Sequence, residues 1–282
     1  LRQQTHPAAD WELLVVDNAS ASPVRDRFDL SWHPQARHVR EDRLGIAAAR
    51  IRGMREARSD LILFVDDDNL LDPAYVATGL ALAARHPELG CWGGQLLPEF
   101  EEEPPEWTRR WWSYLAIRPL DASLRARHAR DYDAIPPTAG AFLRRAVWER
   151  YLGLIARDPR HLALGLRGKK RISGQDTDIA LGAFDLGLGT ARFPELRLVH
   201  IMPRGRLEEA YLLGLVESIS FSTLILEGLR GARPPAAAAS GLAYARAWAR
   251  GWRLPARSRR FFHAEIRGRR RAVGELARLS RG

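Results

Sequence analysis

Short apolar runs alternate with amphipathic segments along the first two thirds of the chain. Residues 13–16 and 61–65 are apolar and rich in strand formers, and neither run contains a turn residue, which is typical of buried parallel strands. Between them, residues 45–58 carry apolar side chains at helical spacing, and Asp72-Pro73 predicts the start of another helix that runs to Arg85. Strands that alternate with helices predict an α/β fold with a mainly parallel sheet.

The alternation continues as far as residue 206. It predicts a glycine-bearing strand over residues 90–97, a helix that begins at Gln175 and a last strand over residues 196–200. We therefore assign residues 1–206 to one α/β domain. With 282 residues, 46% of them apolar, the chain is long enough to bury a full core.

Residues 207–282 are predicted to form a C-terminal helical region. It opens with a long apolar helix over residues 208–229, in which Glu217 and several serines favour packing against protein over crossing a membrane. Twelve arginines and only two glutamates follow between Arg246 and Arg281, and they account for the whole formal net charge of +10. The rest of the chain is neutral.

This basic tail has two interpretations. Its arginines, together with Trp248, Trp252, Phe261 and Phe262, predict peripheral contact with an anionic membrane through residues 246–282. The alternative is a solvated tail whose arginine content reflects base-composition bias. Nucleic-acid binding is the less favoured use of the same charge.

Carboxylates follow both predicted strands at the point where each strand ends. Asp17 follows the first strand, and Asp66, Asp67 and Asp68 follow the second, so all of them are expected at the carboxyl edge of the sheet, where open α/β folds bind ligands. Side chains alternate along a strand, so Asp66 and Asp68 are expected on one side and Asp67 on the other. Two hard oxygen donors on one side suit Mg²⁺ or Mn²⁺. An acidic turn that caps the next helix is the alternative.

Four segments occur in a recognisable order, and the order and spacing are more specific than any one of them. They are Val15-Val-Asp17-Asn-Ala-Ser, Gly45-Ile-Ala-Ala-Ala-Arg50, Phe64-Val-Asp66-Asp-Asp68, and Gln175-Asp176 followed by His200. Together they resemble the inverting, nucleotide-sugar-dependent glycosyltransferases of family 2, which have the GT-A fold, a Rossmann-like mixed, mainly parallel sheet. The family's opening strand has no counterpart here, so we expect an N-terminal piece before Leu1.

The resemblance implies a nucleotide site at the strand ends. Asp17 would bind the base, and Gly45 and Arg50 would line the nucleotide pocket. Asp66, with Asp67 beside it, would approach the ribose.

The resemblance also implies a metal and a general base. Asp66, Asp68 and His200 would hold Mg²⁺ or Mn²⁺ at the donor diphosphate. Asp176 would be the general base, although Gln175 stands where the family usually has glutamate before it. Asp178 is interpreted as a structural residue of the first helical turn, and Arg206 as part of a solvated loop rather than a diphosphate clamp.

Three residues are candidates for the acceptor side. The resemblance implies that Gly140 and Ala141 are small so that the acceptor can approach the sugar. Trp107 is a candidate for stacking on an acceptor sugar. The alternative for Trp107 is core packing, because Trp111 and Trp112 follow it at helical spacing.

The resemblance implies transfer of a sugar from a nucleotide-sugar donor to a glycan, lipid-linked or small-molecule acceptor, with inversion, as in polysaccharide biosynthesis. A metal-dependent nucleotidyltransferase is the rival enzyme, although no glycine-rich phosphate loop is visible in the sequence. A non-catalytic polyanion-binding protein is the rival from another class. A single cysteine, Cys91, fits a reducing compartment, so we expect a bacterial cytoplasmic protein, peripheral at the inner face of the plasma membrane.

Overall fold

The structure is a computed structural model that describes residues 1–129, 131–165, 174–232 and 241–279. Within them the strands are β1 Leu13–Asp17, β2 Ala36–Arg40, β3 Leu61–Leu63, β4 Asn69–Leu71, β5 Leu89–Phe100, β6 Leu124–Ala126, β7 Phe142–Arg144 and β8 Gly189–Met202. The α-helices are α1 Ile46–Glu56, α2 Tyr75–Arg85, α3 Arg145–Arg157, α4 Gln175–Asp185, α5 Glu209–Leu229, α6 Gly241–Gly251 and α7 Ala256–Leu279. A 3-10 helix spans Glu106–Leu115.

The strands form two sheets. β1 and β2 pair in parallel as a two-stranded sheet, and the other strands form a six-stranded sheet in the order β3-β7-β5-β8-β4, with β6 also paired to β8. The longest ladder is the parallel one between β5 and β8, and each antiparallel ladder has three residue pairs or fewer. The mixed, parallel-rich α/β architecture predicted from the sequence is therefore confirmed.

One orientation in that prediction is wrong. The run at residues 61–65 was expected to be a buried parallel strand, but β3 pairs antiparallel with β7, in the register Leu61 to Arg144 and Leu63 to Phe142. Its side chains are only partly buried. The apolar run gives no information on strand direction, because a parallel and an antiparallel neighbour bury the same side chains.

The glycines of the strand predicted over residues 90–97 have a packing reason. At Gly94, where the ladder between β5 and β8 shifts register, a Cβ atom would collide with the backbone of Leu196. The two longest strands can approach each other here only because this residue has no side chain.

The core extends across the predicted domain boundary at residue 206. One buried cluster joins residues of α1, α3 and α4 to Leu224, Ile225 and Ala272 of the C-terminal helices. Another joins Leu115 and Met202 to Leu207, Leu212 and Phe261, among others. The division into 1–206 and 207–282 stays a prediction, and the two parts share their hydrophobic contacts.

α5 is long and apolar enough to cross a membrane by length and composition, with a mean hydropathy of 1.5 over its most apolar window. In the structure it packs against α7. Gly268 of α7 lies against the backbone of Glu217, where a Cβ would collide, and the Glu217 carboxylate accepts hydrogen bonds from Arg267 at 2.9 Å and Arg271 at 2.8 Å. These contacts agree with the packed helix predicted from the sequence.

Candidate active site

Asp17, the residue predicted to bind the base, ends β1 and is buried. Its carboxylate accepts hydrogen bonds from the backbone of Ser20 at 2.9 Å and of Val24 at 3.2 Å, and it pairs with Arg40 at 2.9 Å. The hydrogen bonds from Ser20 contribute most to lowering the pKa of Asp17 to about 2. Asp17 thus organises the loop after β1, and contact with a base stays a prediction.

Asn18 connects this loop to the start of α1. Its side-chain nitrogen donates to the carbonyl oxygens of Glu41 and Arg43, and its side-chain oxygen accepts from the backbone of Gly45 at 2.7 Å. Gly45 has φ of 126°, a conformation that favours glycine. The first two family-like segments therefore meet in space at the amino end of α1.

The strand was expected to reach Asp66, but β3 ends at Leu63 and the aspartate triplet lies in the loop and turn between β3 and β4. Asp67 is exposed, whereas Asp66 and Asp68 are partly buried. Arg50 of α1 lies 3.7 Å from Asp66. Burial raises the pKa of Asp66, and Asp68, Asp176 and Asp67 add to this effect against the attraction of Arg50. Asp66 therefore lies among several carboxylates, and one of them is the predicted base.

Asp68 contacts a histidine of β8 and an arginine that follows this strand. Its Oδ2 is 2.8 Å from Nη2 of Arg206 and 3.3 Å from Nε2 of His200, and Arg206 also reaches that histidine nitrogen, at 2.9 Å. Contact with His200 and the charge of Arg206 lower the pKa of Asp68. The pairing of β4 with β8 produces the arrangement, because Asn69 is in register with His200. The interpretation of Arg206 as a solvated loop residue is wrong.

Asp176 lies in the first turn of α4, where the helix dipole favours a negative charge. Gln175, the residue before it, is buried and donates to the hydroxyl of Tyr151 at 3.3 Å and to the carbonyl of Ala47 at 3.5 Å. Ala47 belongs to α1, the helix that also carries Arg50 to Asp66. α1 thus holds the predicted base and the aspartate triplet at one site.

Asp178 has the structural position predicted for it, but with partners that the sequence did not reveal. It is fully buried, and its carboxylate lies 2.7 Å from Nδ1 of His161 and accepts a hydrogen bond from Arg230 at 2.9 Å. Arg230 also bonds the Asp178 carbonyl and the carboxylate of Asp185. This network fixes the amino-terminal half of α4 to the end of α5.

Gly140 and Ala141 lie beside the strand that leads to the triplet. The Gly140 nitrogen donates to the carbonyl of Phe64 at 2.8 Å, and Phe64 donates to the carbonyl of Ala141 at 3.0 Å. Gly140 has φ of 76°, and a Cβ there would collide with Leu198 and with the hydroxyl of Tyr75, which donates to the Gly140 carbonyl. Packing alone requires the glycine, and access for an acceptor stays a prediction.

Trp107 lies in the 3-10 helix, and its ring contacts come from the C-terminal helices. Phe261 is 6.3 Å from it, and the guanidinium of Arg257 lies 4.4 Å from its ring centroid. Trp111 stacks on the same Phe261 at 4.0 Å. These contacts favour core packing, and stacking of Trp107 on a sugar stays a prediction.

Asp66, Asp68 and His200 would supply some of the ligands of a divalent cation, but not a complete set. Within the described ranges, no group of three or more histidine, cysteine or acidic side chains is arranged as a metal cage. Mg²⁺ does not need one, because at phosphate sites it is held by one or two carboxylates, with substrate and water as the other ligands. The oxygens of Asp66 and Asp68 and the excess negative charge around Asp66 suit such a site.

Three contributors to this site are marked only weakly in the amino-acid sequence. Asn18 lies in a turn, Arg206 is one arginine among many, and Arg230 lies outside the four family-like segments. Each acts on a partner 20 or more residues away, namely Gly45, Asp68 and Asp178. Only Asn18 and Gly45 lie within segments that the sequence had already related to one another.

The aspartate triplet after β3, the Asp176 carboxylate in the first turn of α4 and the loop organised by Asp17 all belong to a mixed α/β fold. The sequence of residues 1–152 matches the family model described as Glycosyl transferase family 2. The chain belongs to this family, and it is a glycosyltransferase. No match was found among curated proteins.

Solved structures show the same fold. The structure of S. aureus TarS residues 1–349 in complex with UDP-GlcNAc is similar over 99% of this chain and 86% of that one, with a TM-score of 0.50 and 11% identity. The mannosyltransferase PcManGT from Pyrobaculum calidifontis, in complex with GDP-Man and Mn²⁺, is similar over 99% of this chain and 69% of that one, with a TM-score of 0.51 and 18% identity. At these identities the likeness shows the GT-A fold.

Proposed function

We propose that this glycosyltransferase moves a sugar from a nucleoside diphosphate to an acceptor hydroxyl with inversion, and that Asp176 is the general base. The proposal rests on two contacts of α1, one with Asp66 and one with the residue before Asp176. Arg50 pairs with Asp66, and Ala47 accepts a hydrogen bond from the Gln175 side chain next to Asp176. These two contacts of one helix support a single site that contains both the donor carboxylates and the proposed base.

An inverting displacement needs a base for the acceptor proton and a site for the leaving diphosphate. The acceptor oxygen attacks the anomeric carbon from the side opposite the diphosphate, the bond from that carbon to the phosphate oxygen breaks, and the acceptor proton passes to the Asp176 carboxylate. The displaced electron pair remains on the leaving nucleoside diphosphate. One displacement inverts the anomeric configuration, and no covalent intermediate with the enzyme is formed.

The donor side combines carboxylates with a guanidinium. Asp66 and Asp68, with His200, are the proposed ligands of Mg²⁺ or Mn²⁺, which when bound would neutralise charge on the leaving diphosphate. Arg206 brings donors to the same point and is suited to bind a phosphate oxygen. Support for the metal comes from PcManGT, whose structure contains GDP-Man and Mn²⁺.

The donor is proposed to be a nucleotide sugar, and UDP-GlcNAc and GDP-Man are the first to test because the two structural relatives bind them. Release of nucleoside diphosphate is measured with each donor, with and without Mn²⁺, against a panel of glycan, lipid-linked and small acceptors. We expect turnover to require the divalent ion. The configuration of the new linkage, read by NMR, tests inversion, and retention would contradict the proposed displacement.

Two variants distinguish the role of the proposed base from that of the proposed metal ligands. Asp176→Asn should spare donor binding and remove turnover, whereas Asp68→Asn should remove turnover and the metal dependence of donor binding. Asp60→Asn is the matched control, because Asp60 is exposed and precedes β3 at the end opposite the triplet. Transfer retained in the Asp176 variant would reject that residue as the base.

A further inference from the structure

α6 has two different faces. On one face Trp248 stacks on His263 of α7 at 3.7 Å, and Arg270 of α7 lies 5.4 Å from the ring of Tyr244. The other face carries Leu242, Arg246 and Arg250 at intervals of four residues, and all three are exposed. α6 therefore packs on α7 along one side and turns a mixed apolar and cationic side outward.

Large apolar side chains are exposed at both ends of this outward face. Leu242 is 62% exposed at the start of α6, and Trp252 and Leu254, in the turn between α6 and α7, are 63% and 37% exposed. Arg259 lies 4.6 Å from the ring centroid of Trp252. A tryptophan beside arginines is the composition that proteins place at the headgroup level of a membrane.

The positive charge on this face has no acidic partner among the described residues. Arg246, Arg250 and Arg253 form no ion pair with any residue that the structure describes, and the sequence contains no acidic residue between 241 and 264. Other arginines of the C-terminal region do have partners: Arg257 and Arg260 pair with Glu209, and Arg267 and Arg271 pair with Glu217. Three arginines without an acidic partner among the described residues thus lie together on α6 and the following turn.

We propose that this surface docks the enzyme on an anionic lipid bilayer, with α6 lying along the headgroups. The surface consists of Leu242, Arg246, Arg250, Trp252, Arg253 and Leu254. The apolar side chains would enter the boundary of the acyl chains while the arginine stems extend along it and keep their charge among the phosphates. A nucleic acid would use the arginines, but it offers no apolar environment to the two leucines. The chemistry therefore favours a lipid surface.

The test uses the full chain and vesicles in a sedimentation assay. We expect binding to vesicles of phosphatidylcholine mixed with phosphatidylglycerol and little binding to phosphatidylcholine alone. Arg246→Gln/Arg250→Gln/Arg253→Gln should weaken binding about 100-fold, because an arginine near an anionic surface contributes about fivefold. Trp252→Ala/Leu254→Ala should also weaken it, since the apolar contacts are lost.

A matched control changes the same charge elsewhere. Arg55, Arg85 and Arg127 are exposed, lie outside the C-terminal region and pair with no acid in the described part of the chain, so their triple change to Gln should leave vesicle binding close to that of the unaltered protein. Thermal melts by circular dichroism check that each variant is folded. The assay needs no substrate, so its outcome does not depend on the proposed transfer reaction.

Three results would overturn the docking surface. One is failure of the full chain to bind anionic vesicles. Another is equal weakening by the two arginine triples, which would show that only net charge matters. The third is unchanged vesicle binding by Trp252→Ala/Leu254→Ala together with efficient competition by an RNA oligonucleotide, which would assign the surface to polyanions instead.

Discussion

Arg230→Met should be strongly destabilising, because it leaves a buried charge poorly compensated. Asp178 is fully buried, and Arg230 bonds both its carboxylate and its carbonyl, at 2.9 and 2.8 Å. After the substitution, His161 is the one side chain in the described part of the protein that still contacts the carboxylate. Breaking a buried ion pair by removing one partner costs about 3–5 kcal/mol, a large part of the stability of a typical domain. Because His161 still contacts the Asp178 carboxylate, we expect a loss of stability near the lower end of this range, about 3 kcal/mol.

The free energy of unfolding from urea titrations measures this cost, and its denaturant dependence should stay unchanged. Arg160→Met is the matched control. Arg160 makes a two-pronged pair with Asp158 in the segment between α3 and α4, near the surface, where ion pairs contribute little. The control should therefore lose much less stability than Arg230→Met.

A double variant tests the reason for the effect. Asp178→Leu combined with Arg230→Met removes both charges, and it should be less destabilised than the two single variants together, because replacing a buried pair by apolar side chains is often nearly neutral. Additive losses would refute the argument from the buried charge. A loss in Arg230→Met no larger than that in Arg160→Met would refute it as well.

Two further predictions concern pH and charge at the site. Asp66→Asn should raise the free energy of unfolding at pH 7, because burial raises the pKa of Asp66 and its ionised form therefore costs stability above the unfolded pKa of about 4. This gain in stability should vanish at pH 3, and the control Asp67→Asn should show no gain. An Asp66→Asn variant that is less stable than the wild type at pH 7 would contradict the reasoning. Asp17, with its pKa lowered to about 2, adds stability above the unfolded pKa that is lost as pH falls from about 4 towards 2. In a plot of melting temperature against pH, Asp17→Asn should flatten this acidic part of the curve, and the control Asp26→Asn, at an exposed residue, should not. Equal curves for the wild type and Asp17→Asn would contradict the prediction.

Much of the site could be predicted from short stretches of sequence. The apolar runs located β1 and β3, and the exposure of Asp67 beside the partly buried Asp66 and Asp68 agrees with the expected difference, although the triplet lies beyond the end of β3. The helical period located α1 to within two residues at either end. These features depend on burial and local geometry, which neighbouring residues determine by themselves.

Pairings between distant residues were decided only by the tertiary structure. The antiparallel direction of β3, the contact of Arg206 with Asp68, and the burial of Asp178 between His161 and Arg230 each join residues far apart in the chain. A strand or an arginine has the same local pattern whichever partner it meets, so its partner is selected by the packing of the whole chain. The sequence by itself determined which side chains stand at the strand ends, and the fold decided which of them meet.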